Sequence, residues 1–207
     1  IRNEPDPETG SRLILVDPDR YSATDLRAIH QFYSGFAVDA LDVTLESAAE
    51  AAAFCGVAPN GRIIVGDVTL SGPDSLVVPC LQRVVGDLTI QDFQGEVVEL
   101  PSLVSVHGTV RVVDAPDLAL LDLSALRVAH DVDMLSLPSL DSLSLGLEVV
   151  FGSLLVSDLL ALRTLDLSSL RRVAELTIVD NAALRTIVAR NLHSVAGHPM
   201  FEDATVG

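Results

Sequence analysis

Six segments of this chain repeat one pattern, V-x-G-x-L-x-I, at a period of about 22 residues. They read IVGDVTL (64–70), VVGDLTI (84–90), VHGTVRV (106–112), VAHDVDM (128–134), VFGSLLV (150–156) and RVAELTI (172–178). A last partial copy begins at VAG (195–197). Aligned on the third position, the pivots Gly66, Gly86, Gly108, His130, Gly152, Ala174 and Gly197 stand 20, 22, 22, 22, 22 and 23 residues apart. A fixed period of this size specifies a solenoid. One such unit has too little interior to fold alone and buries its apolar side only against its neighbours.

Each unit holds two apolar alternations. After the pivot, Leu88/Ile90, Val110/Val112, Val132/Met134, Leu154/Val156 and Leu176/Ile178 alternate with polar residues, so this run is a strand with these side chains inward. Farther on comes L-x-x-L-x-L: Leu118/Leu121/Leu123, Leu140/Leu143/Leu145, Leu162/Leu165/Leu167 and Leu184/Ile187/Ala189. Turn chemistry separates the two runs at Ala115-Pro116-Asp117, Leu137-Pro138-Ser139 and Asp180-Asn181. A further corner, at Pro101-Ser102-Leu103 and Ser124-Ala125-Leu126, returns the chain to the next pivot. Six to seven coils stacked at the strand spacing of about 4.8 Å make a rod about 30 Å long.

A leucine-rich repeat of this period places an Asn or Cys after L-x-x-L-x-L-x-x, where its side chain bonds the turn backbone. Leu126, Leu170 and Leu192 hold that position here, so that ladder is missing. The GDVTL and GDLTI segments and the Leu-Pro-Ser-Leu corners at 100–103 and 137–140 resemble instead the receptor L domain family. These are the leucine-rich-repeat-like β-helix modules of insulin- and growth-factor-receptor ectodomains, with related repeats in fungal cell-wall anchored proteins. The resemblance covers about 60–200. It implies a mainly β fold, a right-handed β-solenoid with an α-helical N-terminal cap, and a flat sheet face that binds a protein partner. The cysteine-rich modules that follow in receptors are not present, so kinase-receptor membership is not implied.

Ahead of the repeats, residues 1–11 read as a disordered leader or linker and 12–60 as an α/β cap that covers the first coil's open edge. Within the cap the sequence predicts an edge strand over Arg12–Val16 and a helix from Ser22 to about Tyr33, stopped by Gly35. A short strand over Val38–Val43 and an Ala-rich helix from Leu45 to Phe54 follow, ended at Cys55-Gly56. The solenoid takes 61–200 and a tail 201–207, with no C-terminal cap evident after Phe201.

The formal net charge is −16, and all 13 basic residues are Arg. Nucleic acid is therefore disfavoured, since phosphate binding needs a positive footprint, and so is an anionic membrane surface. The absence of Lys removes Schiff-base chemistry and a P-loop. The one long apolar stretch, around 143–162, carries Glu148 and Asp158 and belongs to the repeat, so no direct membrane insertion is expected. Cys55 and Cys80 lie roughly one coil apart: either a disulfide tying the cap to the solenoid, which would imply an oxidising compartment, or two separate buried thiols.

The outward positions of the first strand form three ladders: Asp67/Asp87/Thr109/Asp131/Ser153/Glu175, Thr69/Thr89/Arg111/Asp133/Leu155/Thr177 and Ser71/Gln91/Val113/Leu135/Ser157/Val179. Val113, Leu135, Leu155 and Val179 are expected to cluster there as exposed apolar residues, a candidate protein-binding patch. Arg111 beside Asp133 would orient a carboxylate or sugar, or form a cross-strand ion pair. The acidic ladder lacks the converging loop a Ca²⁺ site needs. His30, His107, His130, His193 and His198 have no zinc spacing, and no G-x-S-x-G elbow accompanies the serines. Arg111, Asp131 and Asp133 are the nearest approach to the carboxylate clusters of polysaccharide-active β-helix enzymes. No cofactor is expected. Carbohydrate is possible as a ligand but not favoured, because the outward ladders contain no aromatics. The reading is a non-catalytic, extracellular or surface-attached recognition module, with a structural spacer or a polysaccharide-active enzyme as the alternatives.

Overall fold

The computed structural model describes residues 37–39, 41–56, 61–197 and 200–201. Every strand pairing among them is parallel. Val110, for example, pairs with Leu88 on one side and Val132 on the other. Pairing each residue with its counterpart one period away is what closes each repeat into a coil, and about seven coils stack into a β-solenoid.

Three columns of strands run along the stack. The first holds the post-pivot strands Val68–Gly72, Leu88–Phe93, Thr109–Val112 and Asp131–Leu135. The second holds the pre-pivot strands Arg62–Ile64, Leu81–Val84, Ser105–Val106 and Val128–Ala129. The strands Val149–Ser157 and Arg172–Val179 run unbroken around the corner between them, which joins both columns into one 14-stranded sheet. The third column, Leu76–Val77, Val97–Glu99, Leu120–Leu123 and Ser142–Leu145, forms a separate sheet, and Thr164–Asp166 pairs with Thr186–Val188 beyond it.

The interior is a stack of aliphatic side chains. All ten predicted inward residues of the post-pivot strands are at most 1% exposed, and burying each Val or Leu contributes about 1.5–3 kcal/mol. Phe93 is the largest fully buried side chain. The L-x-x-L-x-L run is buried at Leu118, Leu121, Leu123, Leu162, Leu165 and Leu167. Leu143, Leu145 and Ala189 are only half-buried against the core; Leu143 and Leu145 lie where the third column is interrupted between Ser142–Leu145 and Thr164–Asp166, and Ala189 follows the outermost strand, Thr186–Val188.

One corner has a column of its own. Asp92, Asp114, Ser136, Asp158 and Asp180, each 22 residues after the last, all take positive φ between 50° and 61°. Asp and Ser accept this left-handed conformation because a short polar side chain can bond locally, whereas a β-branched residue cannot without strain. At the next position along, Asn181 replaces an apolar core residue and is 1% exposed. Its amide oxygen accepts the Leu159 N–H at 2.9 Å and its Nδ2 donates to the Val156 and Val179 carbonyls, so the buried amide is satisfied.

The N-terminal region differs from the sequence expectation. Ala37–Asp39 pairs with Arg62–Ile64 and Val43–Leu45 pairs with Val68–Leu70, so parallel stacking already begins inside the predicted cap. The expected strand over 38–43 is two strands, and Leu45 ends the second rather than opening a helix. The helix is Ala48–Gly56. Ser47 caps it: Ser47 Oγ accepts the Glu50 N–H, and Glu50 reaches back to the Glu46 N–H at 2.8 Å. The expected strand at 12–16 and helix at 22–33, with His30, lie outside the described residues, as does His198.

Cys55 and Cys80 form a disulfide with Cα atoms 5.3 Å apart. The bridge pins the helix to the first full coil, across a sequence separation of 25 residues. Closing a loop of that size is worth about 3 kcal/mol. Reduction should therefore lower the urea midpoint measurably, and equal midpoints with and without dithiothreitol would refute a stabilising role for the bridge.

Candidate functional site

The outer face of the post-pivot strands carries the three ladders in the predicted register, except at the start of the third, where a bulge between Leu70 and Gly72 sets Ser71 against both Gln91 and Asp92. Thr89 pairs with Arg111, Arg111 with Asp133, Asp133 with Leu155 and Leu155 with Thr177. Leu135 pairs with Ser157 and Ser157 with Val179. Leu155 thus belongs to the middle ladder, diagonal to Leu135, while Val113, Leu135 and Val179 share the outer one. All four are half-buried rather than exposed. Strand neighbours stand about 4.8 Å away, and that close spacing shields a side chain even on an outer face. The expected exposed cluster is thus a shallow apolar strip.

Arg111 donates to Asp133 Oδ2 at 2.9 Å, so the cross-strand ion pair forms. The Arg111 side chain is 53% exposed, which limits the pair to a modest contribution.

The acidic ladder does structural work. Asp67 Oδ1 accepts the Asp87 N–H at 2.8 Å, Asp87 Oδ1 accepts the Thr109 N–H at 2.7 Å, and Asp131 Oδ1 accepts the Ser153 N–H at 2.7 Å. Asp42 does the same for the Asp67 N–H. Each carboxylate thus ties its own coil to the next. Burial alone pushes the Asp131 carboxyl up, but the Ser153 N–H, His130 and the Ser153 hydroxyl together hold it below the usual carboxylate range. Both its oxygens are engaged, Oδ2 by His130 Nδ1 at 2.7 Å. Asp133 is paired as well, so neither acid of the Arg111/Asp131/Asp133 group is free.

The glycine pivots answer to these carboxylates and, at Gly86 and Gly108, also to the preceding pivot's carbonyl oxygen, which a Cβ would approach to 2.5 and 2.7 Å. A Cβ on Gly86, Gly108 or Gly152 would lie 2.1, 2.0 or 2.2 Å from Oδ1 of Asp67, Asp87 or Asp131 in the coil before. Pivots with side chains occur where that earlier coil has no acid: His130 follows Thr109, and Ala174 follows Ser153. Those two coils also turn the corner with one residue fewer. Three residues separate Ser105 from Thr109, but two separate their partners Val128 and Asp131. The same shortening recurs between Arg172 and Glu175.

Through that shortening His130 directly follows the inward column Val106–Ala129–Val150, as His107 and Phe151 do on the coils beside it. A column of ring side chains, one per coil, therefore stands on the outside of this corner. Aligned at the 22-residue period, His130 falls on the pivot and the column is hidden. Next to it lies a shallow, open depression of about 680 Å³ lined by Val149, Arg171, Arg172, Asn191, His193 and Ser194.

No family model, curated protein or solved structure matches the chain. Among the described residues, no group of three or more His, Cys, Asp or Glu is placed to hold a metal ion, and no helix is long and apolar enough to cross a membrane.

Proposed function

We propose that this chain is a non-catalytic recognition module, a right-handed solenoid of the receptor L domain type with a helical N-terminal cap, that binds a protein partner through its post-pivot sheet face. The observation that carries the reading is that face: a regular parallel array whose backbone groups are spent on coil-to-coil pairing, presenting only side chains. The strip Val113, Leu135, Leu155 and Val179 offers partly open apolar area, and the Arg111–Asp133 pair beside it supplies polar orientation. Such a mixed patch suits an interface with an apolar centre and a polar rim. The Cys55–Cys80 bridge supports an oxidising, extracellular or cell-surface setting.

Leu155→Asp tests the reading. Its side chain points away from the core, so the fold should tolerate it, while an acid in the strip should weaken capture of a surface or secreted partner by about tenfold or more. Partner binding that survives the substitution unchanged would exclude this face.

A further inference from the structure

We propose a second binding surface on a different face: the corner column His107, His130 and Phe151, with Arg171, Arg172 and His193 beside it, binds a linear polysaccharide bearing carboxylates. The rings come first. His107 and His130 are exposed, and Phe151, at 62%, is the most exposed large apolar side chain among the described residues. A chain this economical with aromatics, 4% of its residues, nevertheless sets one in solvent directly in line with two imidazoles. The coil spacing of about 4.8 Å is close to the length of one sugar unit in an extended chain. Successive rings can therefore meet the apolar faces of successive sugars.

Charge selects the kind of sugar. Over 37–159 the chain has eighteen acidic residues against four arginines, but over 160–197 it has three against five. Arg172 has no ion-pair partner among the described residues, and Arg171 shares Glu148 with Arg127 at 3.8 and 3.7 Å. Along the ring column the acidic ladder is interrupted by Thr109 and Ser153, and Asp131 is already engaged by His130 and Ser153. The protein's overall negative charge acts weakly inside the depression, because exposed charges more than about 8 Å away are screened at physiological salt. A free guanidinium is suited to a carboxylate, which it can hold with two parallel hydrogen bonds.

An acidic peptide fits less well. An extended peptide gains affinity by pairing its backbone with a sheet edge. Here the neighbouring backbone is already paired coil to coil, through bonds such as Gly108 N–H to Gly86 O and Gly152 N–H to His130 O. A polysaccharide has no backbone amides to satisfy.

The test is titration of the whole chain with polygalacturonate, with its fully methyl-esterified form as the uncharged counterpart and polyglutamate as the peptide counterpart. Polygalacturonate should bind and the ester should not. Arg172→Ala should weaken binding by about tenfold and Phe151→Ala by about fivefold. Both side chains are exposed, so unchanged melting curves confirm that the fold is kept. No binding of polygalacturonate overturns the proposal, and equal binding of the ester overturns the role of the carboxylate. Polyglutamate binding as tightly, with Phe151→Ala silent, would reduce the surface to a charge patch for acidic peptides. Because Leu155→Asp lies on the other face, it should leave polygalacturonate binding intact.

Discussion

Gly152→Ala is expected to lower the melting temperature by about 5–10 °C, and Asp131→Ala in the same chain to return most of that loss. The added methyl would sit 2.2 Å from Asp131 Oδ1 and 3.0 Å from Asp131 Cγ, while the nearest backbone atom, His130 O, is 3.2 Å away. The clash is thus with one side chain, and removing that side chain removes it. Overpacking of this kind costs about 1–3 kcal/mol. Asp131→Ala alone should cost about 1 kcal/mol, the net value of its hydrogen bonds to Ser153. The double variant should then be clearly more stable than the sum of the singles predicts, as interacting neighbours require. Strict additivity would show that the glycine is needed for some other reason. Gly108 would make a poorer experiment, because a Cβ there also meets Gly86 O at 2.7 Å and no side-chain removal relieves that.

The same relation shows what could be read in the sequence. The period, the inward residues and the register of the outer ladders follow from spacing alone, because a parallel stack pairs like with like. The exceptions His130 and Ala174 look like noise in an alignment, since nothing in one coil says that its pivot answers to the acid in the coil before. The left-handed column Asp92, Asp114, Ser136, Asp158 and Asp180 is just as regular. Its signal, a short polar residue after each strand, is the composition of any turn. The outward patch failed in degree: alternation says which side Val113 and Leu155 face, but not how far their neighbours cover them. The ring column is not legible in the sequence, because a one-residue shortening at the corner breaks the period locally. The coil that holds Ala37–Asp39 and Val43–Leu45 is not legible in the sequence, because its strands are only three residues each and a helix follows at once.

Arg62→Met should be among the most damaging single changes, costing about 3–5 kcal/mol, and Asp39→Val should rescue it. Asp39 and Arg62 lie on the first two coils among the described residues, and their side chains are only 9% and 10% exposed. They form an ion pair, and the Arg62 guanidinium carbon stands 4.3 Å from the centre of the Phe54 ring in the capping helix. Such a pair gains little net energy from its attraction, because both charges lose their hydration. Arg62 Nε, moreover, finds no hydrogen-bond partner among the described residues. Removing Arg62 alone strands a buried carboxylate, whereas removing both charges leaves an apolar contact in which Met still packs on Phe54. Recovery in the double variant would identify the stranded charge as the source of the damage. No recovery would mean that the guanidinium's own packing and its stacking on Phe54 matter more. The Arg62 N–H also donates to the Cys80 carbonyl at 2.6 Å, so the pair and the Cys55–Cys80 bridge fasten the same helix to the same coil. Their losses should therefore not add. Once Arg62→Met has loosened the helix, reducing the disulfide should cost less than the roughly 3 kcal/mol it costs in the intact protein.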